Sequence, residues 1–272
     1  MPGTRSAGPR GRRNWSRGGP AAIAPAGVRA LLAAERLAEL AEAIAEGEEV
    51  GTLDEVRLLA PITDPEKIVC LGLNYRSHVE EAKVELPEVP TFFAKFRNAL
   101  AAPGEAVPLP ALSRKVDYEA EVAFVVGARA RDVTETEALY HVAGYTLLND
   151  LSARDLQFAT RQWEPGKVFD GSAPCGPELV TPDESGPHDG IEFELCLNGE
   201  RMQGSSTADL VFGVPALLSH LSRLMTLEPG DIVATGTPAG VGSVRVPRVW
   251  LTPGDEIVIT SPTLGTLATP IA

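Results

Sequence analysis

The chain has 272 residues, 44% of them hydrophobic and 22% charged, with a formal net charge of −13. That charge argues against a nucleic-acid partner, since a polyanion would be repelled. No run of about 18 apolar residues is present to span a bilayer, and the length suits one large domain, or one with a small companion.

Residues 1–30 carry Arg5, Arg10, Arg12, Arg13, Arg17 and Arg29 with no acidic residue, among many Gly, Pro and Ala. Such a segment buries too little apolar surface to offset ordering entropy, so a disordered basic extension is expected. Arg12-Arg13 is not followed by an apolar run, because Pro20 and Pro25 interrupt it, and an export signal is not expected. Between Gly27 and Gly47, Val28, Leu31, Leu32, Leu37, Leu40, Ala41 and Ile44 recur at helical spacing. A short helix over Leu53–Val56 and a strand over Leu58–Ile62, closed by Pro61, are expected next. Lys67–Leu73 reads as a buried strand, and the proline-rich stretch 87–110 suits loops and short strands.

Thr134 with Glu137 forms a capping-box pattern, predicting a helix over Glu135–Tyr140, followed by a strand over 143–149. Ile191–Leu197 alternates cleanly, Asn198-Gly199 signals a two-residue hairpin turn, and the returning strand starts at Glu200. Val211–Leu224 reads as an amphipathic helix. Glu228-Pro-Gly-Asp231 and Thr252-Pro-Gly-Asp255 are turns leading into strands at Ile232–Thr235 and Glu256–Thr260. The pattern is that of an α+β, mostly β domain with peripheral helices. The three cysteines, Cys70, Cys175 and Cys196, are odd in number and lack metal-site spacing, so a reducing, cytoplasmic setting is expected. Cys70 and Cys196 lie in apolar runs and are read as core residues.

The chemistry concentrates in a few segments. Glu119 and Glu121 stand two apart at the head of the apolar run Val122–Val126, so in a strand they share a face. Paired carboxylates are costly unless something positive lies between them. Asp150 ends the run Ala143–Leu148, and three carboxylates converging from strand ends describe a site for a hard divalent cation, most simply Mg2+. Arg154 and Gln157 follow on one side of a turn-to-helix segment, Arg154 offering a planar fork for a carboxylate. Lys167, after Gly166, is placed to stabilise developing negative charge. His78 and Glu81 form an i, i+3 pair in which the acid would orient the imidazole as a base. The glycine-rich loop Gly236–Gly242 lacks a phosphate-loop lysine; its backbone N–H groups are expected to hold a substrate carboxylate.

Together, Gly72-Leu-Asn-Tyr-Arg-Ser-His78 with Glu81, Asp117-Tyr-Glu-Ala-Glu121, Asn149-Asp-Leu-Ser-Ala-Arg-Asp155, Gly166-Lys-Val-Phe-Asp170 and Thr235-Gly-Thr-Pro-Ala-Gly240 resemble the fumarylacetoacetate hydrolase family, over roughly residues 58 to 272. The resemblance implies a mixed β-sandwich roll and a homodimer. It implies Mg2+, or alternatively Mn2+ or Ca2+, on Glu119, Glu121 and Asp150. It further implies catalytic roles for His78, Glu81 and Lys167, with His78 and Glu81 on a lid, and substrate contacts from Arg154, Gln157 and Thr237. Family members usually begin with a small β-rich region; here residues 31–63 stand as its remnant, before a catalytic domain over 64–272.

The reaction implied is metal-dependent hydrolysis of a C–C bond in an acylpyruvate or related β-diketo acid, releasing pyruvate or another 2-oxo acid. His78 would activate water while the metal and Lys167 stabilise the enolate. Two alternatives stand beside it: an oxaloacetate-type decarboxylase, or an isomerase or hydratase of unsaturated oxo-diacids in aromatic catabolism. A non-catalytic cation-binding module is the alternative from a different class, and it leaves His78, Glu81 and Lys167 without a role. In each enzymatic reading the partner is a small oxo acid, with no nucleic acid and no membrane.

Overall fold

The structure, a computed structural model, describes residues 27–35 and 55–272 together with the backbone of Trp15–Arg17 and Glu48–Gly51. Within the leader expected to be disordered, strand β1 (Trp15–Arg17) pairs antiparallel with β2 (Glu48–Gly51). Of the helix expected from Gly27, the turn-and-a-half Val28–Ala33 is described, burying Leu31 and Leu32; its continuation at 36–47 lies outside the described residues. Residues 52–54 of the expected Leu53–Val56 helix also lie outside them.

Seven strands form a mixed central sheet. In chain order these are β3 (Ile68–Gly72), β4 (Thr91–Lys95), β5 (Leu100–Ala101), then, after a short β6 (Val116–Asp117), β7 (Ala120–Val126) and β8 (Val142–Asn149). A short β9 (Ser152–Ala153) pairs with β6, β10 (Ala173–Val180) returns to the main sheet, and β11 (Glu192–Leu197) and β12 (Glu200–Ser206) form a hairpin. Then come β13 (Ile232–Ala234), β14 (Glu256–Ser261) and β15 (Gly265–Pro270). The central sheet runs β4-β3-β13-β7-β8-β10-β5, and a second, antiparallel sheet runs β12-β11-β14-β15. The fold is therefore α+β and mostly β, a mixed β-sandwich roll with peripheral helices.

Strand β7 is buried along its whole length, and its parity divides the core. Val122, Phe124 and Val126 face a large cluster that includes Leu195, Ile257, Ile259 and Leu267 of the second sheet and Leu217, Leu218 and Leu221 of the Val214–Leu224 helix. Ala123 and Val125 face the other way, toward Ile68, Cys70, Leu148, Ile232 and Ala234. A strand covered on both faces reads as a continuous apolar run, so the two acids at its head stand out. Where β8 meets β10 the backbones approach closely: a Cβ on Gly144 would lie 2.3 Å from the Val180 carbonyl oxygen.

Most expected elements are present, with four corrections. Leu58–Ile62 is not a strand; Pro61 offers no N–H to a ladder, and only Ile62 of that run turns fully into the core. The Glu135–Tyr140 helix is replaced by a short 3-10 turn, Ala138–His141. Glu137 does reach back to the Thr134 backbone N–H and hydroxyl (3.4 and 2.6 Å), but the chain passes directly into β8 before an α-helix can propagate. The next helix starts at Val214 rather than Val211, with Pro215 in its first turn, where a missing N–H costs nothing. Cys196 is only half-buried, because its parity in β11 matches Glu192 and Glu194 on the outer face. The Asn198-Gly199 turn appears as read, with φ of 52° and 83°.

Candidate metal and oxo-acid site

The site forms where four strands of the central sheet end or begin together. β3 ends at Gly72 and β13 at Ala234, while the antiparallel β7 starts and β8 ends at the same edge. The register sets Glu121 opposite Leu148, and the Asp150 N–H donates to the Glu119 carbonyl at 2.9 Å. Parity then sends Glu119, Glu121 and Asp150 to one side. One oxygen from each lies within 4.8 Å of the others, and all three residues are buried.

Four carboxylates gather here once Asp117 is included, balanced by three buried cations, Lys95, Arg154 and Lys167. Lys167 Nζ lies 2.7 Å from Glu119 Oε2 and 2.7 Å from Asp150 Oδ2, with the Phe93 ring 4.8 Å away. Lys95 Nζ reaches Asp150 Oδ1 at 2.8 Å and also donates to the carbonyls of Lys167 and Ser172. Arg154 Nη2 bridges Glu119 Oε1 (2.7 Å) and Asp117 Oδ2 (2.8 Å), and its Nη1 donates to Gln157 Oε1 at 3.0 Å. Burial alone would raise the Glu119 carboxyl, but Arg154 and Lys167 outweigh it and hold it well below its usual range. Burial, with Asp150 and Glu119 beside it, instead pushes the Glu121 carboxyl well up. Its bond from the Gly236 N–H, 2.8 Å, offsets this only in part.

These oxygens suit a hard divalent cation. Ligands at ~2.1 Å from Mg2+ stand at most ~4.2 Å apart, so the triad would need only a small inward closure. The donor set is all carboxylate, with no thiol or imidazole, which favours Mg2+, Mn2+ or Ca2+ over Zn2+. A bound cation favours the ionised form of the raised Glu121 carboxyl. Magnesium titrations in buffers of different ionisation enthalpy should therefore report net proton release, and affinity should rise with pH.

A cavity of about 570 Å³ opens onto this edge, lined by Glu119, Arg154, Gln157, Lys167, Thr237 and His78 among others. Glu121 and Asp150 lie behind this floor at 1% and 0% exposure. His78 projects from the Arg76–Ala82 helix, with Nδ1 3.3 Å from Glu81 Oε2. Glu81 Oε1 accepts from the Gly240 N–H at 2.9 Å. Asp209 receives both the backbone N–H and the hydroxyl of Ser77, fixing the first turn of that helix.

The glycine-rich loop departs from its expected role. Its Gly236, Gly240 and Gly242 N–H groups are taken by Glu121, Glu81 and Asp117, the last at 2.7 Å. The loop holds the protein's own carboxylates rather than a free oxyanion cradle. Thr237 is likewise engaged, its hydroxyl donating to the Ala120 carbonyl (3.0 Å) and accepting from Gln203 (2.8 Å).

Two residues that the sequence reading did not place in the site prove central. Lys95 was hidden in β4, although Phe93 and Lys95 share its buried parity and so gave a signal. Asp117, read only within a motif and as a surface ion-pair partner for Arg154, is buried and accepts four hydrogen bonds, from Arg154 Nε and from the N–H groups of Tyr118, Gly242 and Ser243, with Arg154 Nη2 beside it as an ion pair. Asp117→Asn would confront these donors with an amide N–H2 and leave Arg154 underneutralised. Chemical denaturation is expected to show a loss of about 3–5 kcal/mol.

The family model described as fumarylacetoacetate (FAA) hydrolase C-terminal matches residues 67–272. The chain belongs to the fumarylacetoacetate hydrolase family. A relative named as a mitochondrial oxaloacetate tautomerase of Xenopus laevis is 43% identical over 219 residues, 79% of this chain and 68% of that protein. The chain spans about two thirds of the length of the curated relatives it matches. Among solved structures, a 5-carboxymethyl-2-hydroxymuconate delta-isomerase from Mycobacterium smegmatis superposes with a TM-score of 0.74 at 36% identity, covering 84% of each chain. A fumarylacetoacetate hydrolase from psychrophilic Exiguobacterium antarcticum gives 0.77 at 38% identity, covering 84% of this chain and 81% of that one. Family members named as tautomerase, isomerase and hydrolase thus share this fold, which is that of an enzyme for small molecules. Among the described residues no helix is long and apolar enough to cross a membrane.

Proposed function

We propose that this protein is a divalent-metal-dependent enzyme interconverting the enol and keto forms of an oxaloacetate-type 2-oxo acid. The observation that carries this reading is that one cavity is lined both by His78, oriented by Glu81, and by Glu119, the member of the carboxylate triad at its floor, with Glu121 and Asp150 directly behind. The choice of tautomerisation is supported by the 43% identity to an oxaloacetate tautomerase. Glu119, Glu121 and Asp150 would hold the cation, which when bound supplies Lewis-acid polarisation of adjacent keto and carboxylate oxygens. Glu81, itself held by the Gly240 N–H, keeps His78 Nδ1 engaged. Nε2 is then the atom that takes a proton from, or returns it to, the substrate carbon. Lys167 and Arg154 present positive charge to the enolate oxygen and carboxylate, and the Gln157 amide nitrogen, with no bond among the described residues, remains to donate.

The same His78–Glu81 pair favours a second reading, the C–C hydrolysis of an acylpyruvate, in which Nε2 deprotonates water. The test is to supply enol oxaloacetate and acetylpyruvate separately, with Mg2+ and with EDTA. Metal-dependent decay of the enol absorbance without pyruvate release supports tautomerisation. Pyruvate and acetate from acetylpyruvate would move the assignment to hydrolase, and carbon dioxide with pyruvate from oxaloacetate to decarboxylase. The homodimer is part of the proposal, supported by the exposed Leu86, Val89, Phe92 and Phe96 on and beside edge strand β4. Sedimentation equilibrium tests it.

A further inference from the structure

The cavity carries two cations that the chemistry above does not use. Lys115 and Arg248 both line it, both are exposed, and neither makes a side-chain ion pair or hydrogen bond among the described residues. They belong to neighbouring segments of one lip. The Lys115 carbonyl accepts from the Arg154 N–H, and the next carbonyl, that of Val116, accepts from the Leu251 N–H, each at 2.9 Å. Arg154 and Lys167 on the floor are already ion-paired with Asp117, Glu119 and Asp150 and serve the 2-oxo end of the substrate. The acid at the lip, Asp155, is itself occupied: it accepts from the Ser113 hydroxyl and the backbone N–H groups of Arg114 and Leu156. In a chain of net charge −13, this leaves a positively charged rim over an apolar wall that includes Trp163 and Trp250.

We infer that Lys115 and Arg248 are specificity-determining residues that clamp a second carboxylate at the far end of the substrate, across an apolar spacer from the 2-oxo acid group. The inference rests on the proposed oxo-acid site. A cavity of about 570 Å³ is also larger than a four-carbon acid fills, so a longer chain would bridge floor and lip. Arg248 offers a two-pronged grip on a carboxylate and Lys115 a mobile point charge.

The test is calorimetric, with full-length protein and Mg2+. 2-Oxoglutarate, 2-oxoadipate and 2-oxopimelate are compared with the methyl-ended 2-oxo acids of equal chain length. At least one diacid should bind about tenfold tighter than its monoacid match, as expected for a charge-assisted contact. In Lys115→Met/Arg248→Met that diacid should fall to the monoacid level and lose its extra salt dependence. Both positions are exposed, and an unchanged unfolding temperature checks the fold. A wild type without diacid preference, or a double variant that keeps it, overturns the clamp while the oxo-acid site stands. If no 2-oxo acid of either kind binds while Mg2+ does, the underlying reading falls and the clamp falls with it.

Discussion

Asp150→Asn is expected to remove metal-dependent turnover and to destabilise the protein even without metal. The first effect follows from losing one of three anionic ligands, and comparable losses of electrostatic stabilisation cost about a hundred- to a thousandfold in rate. The second follows from the surroundings. Asp150 carries Lys167 on one oxygen and Lys95 on the other, and all three side chains are buried. Removing its charge leaves two ammonium groups without their main partner, a situation that costs about 3–5 kcal/mol. Glu121→Gln is the control. Among the described residues its carboxylate is held by a backbone N–H rather than by a cation, so that variant should lose metal affinity with little loss of stability. Equal stability of the two variants in urea would refute this division of roles.

The second large effect is expected from His78→Ala. If Nε2 moves the proton, turnover should fall about a hundred- to ten-thousandfold, the usual range for a positioned acid–base group. Magnesium affinity should change little, because His78 lies outside the triad. Glu81→Gln should give a smaller loss together with an altered pH–rate profile, since the amide still reaches Gly240 but no longer holds the imidazole by charge. Unchanged turnover in metal-loaded His78→Ala would remove the histidine from the reaction and assign the proton transfer to another group.

Much of the site was readable in the sequence because strand parity is a strict code. Glu119 and Glu121 had to share a face, and the end of β8 brought Asp150 beside them. The His78–Glu81 spacing worked for the same reason on a helix. What escaped was everything decided by the third dimension. Lys95 lies far from Asp150 in sequence, and its parity with Phe93 was the only local trace of its burial. The glycine-rich loop misled because free N–H groups invite an anion, and the sequence does not tell whether that anion comes from substrate or from Asp117, Glu81 and Glu121. In the fold, the Leu58–Ile62 stretch had strand-like composition, but Pro61, which offers no N–H to a ladder, outweighed it. Propensity was likewise overruled at Glu135–Tyr140, where the chain is drawn at once into β8.

The order of strands in the central sheet also bears on how the protein is made. β3 reaches β7 only through β13, which pairs with both and lies more than a hundred residues downstream of each. The Gly236 amide that steadies Glu121 follows immediately after β13. A ribosome-bound chain halted before residue 232 would therefore hold the three acids without the strand that joins their sheet to the His78 segment. Such long loop closures fold slowly, and emerging chains should acquire metal affinity only when the β13 segment has cleared the exit tunnel. Stalled chains of increasing length would then show a single late step in metal binding, and the half-made sheet before it would be the species most in need of a chaperone.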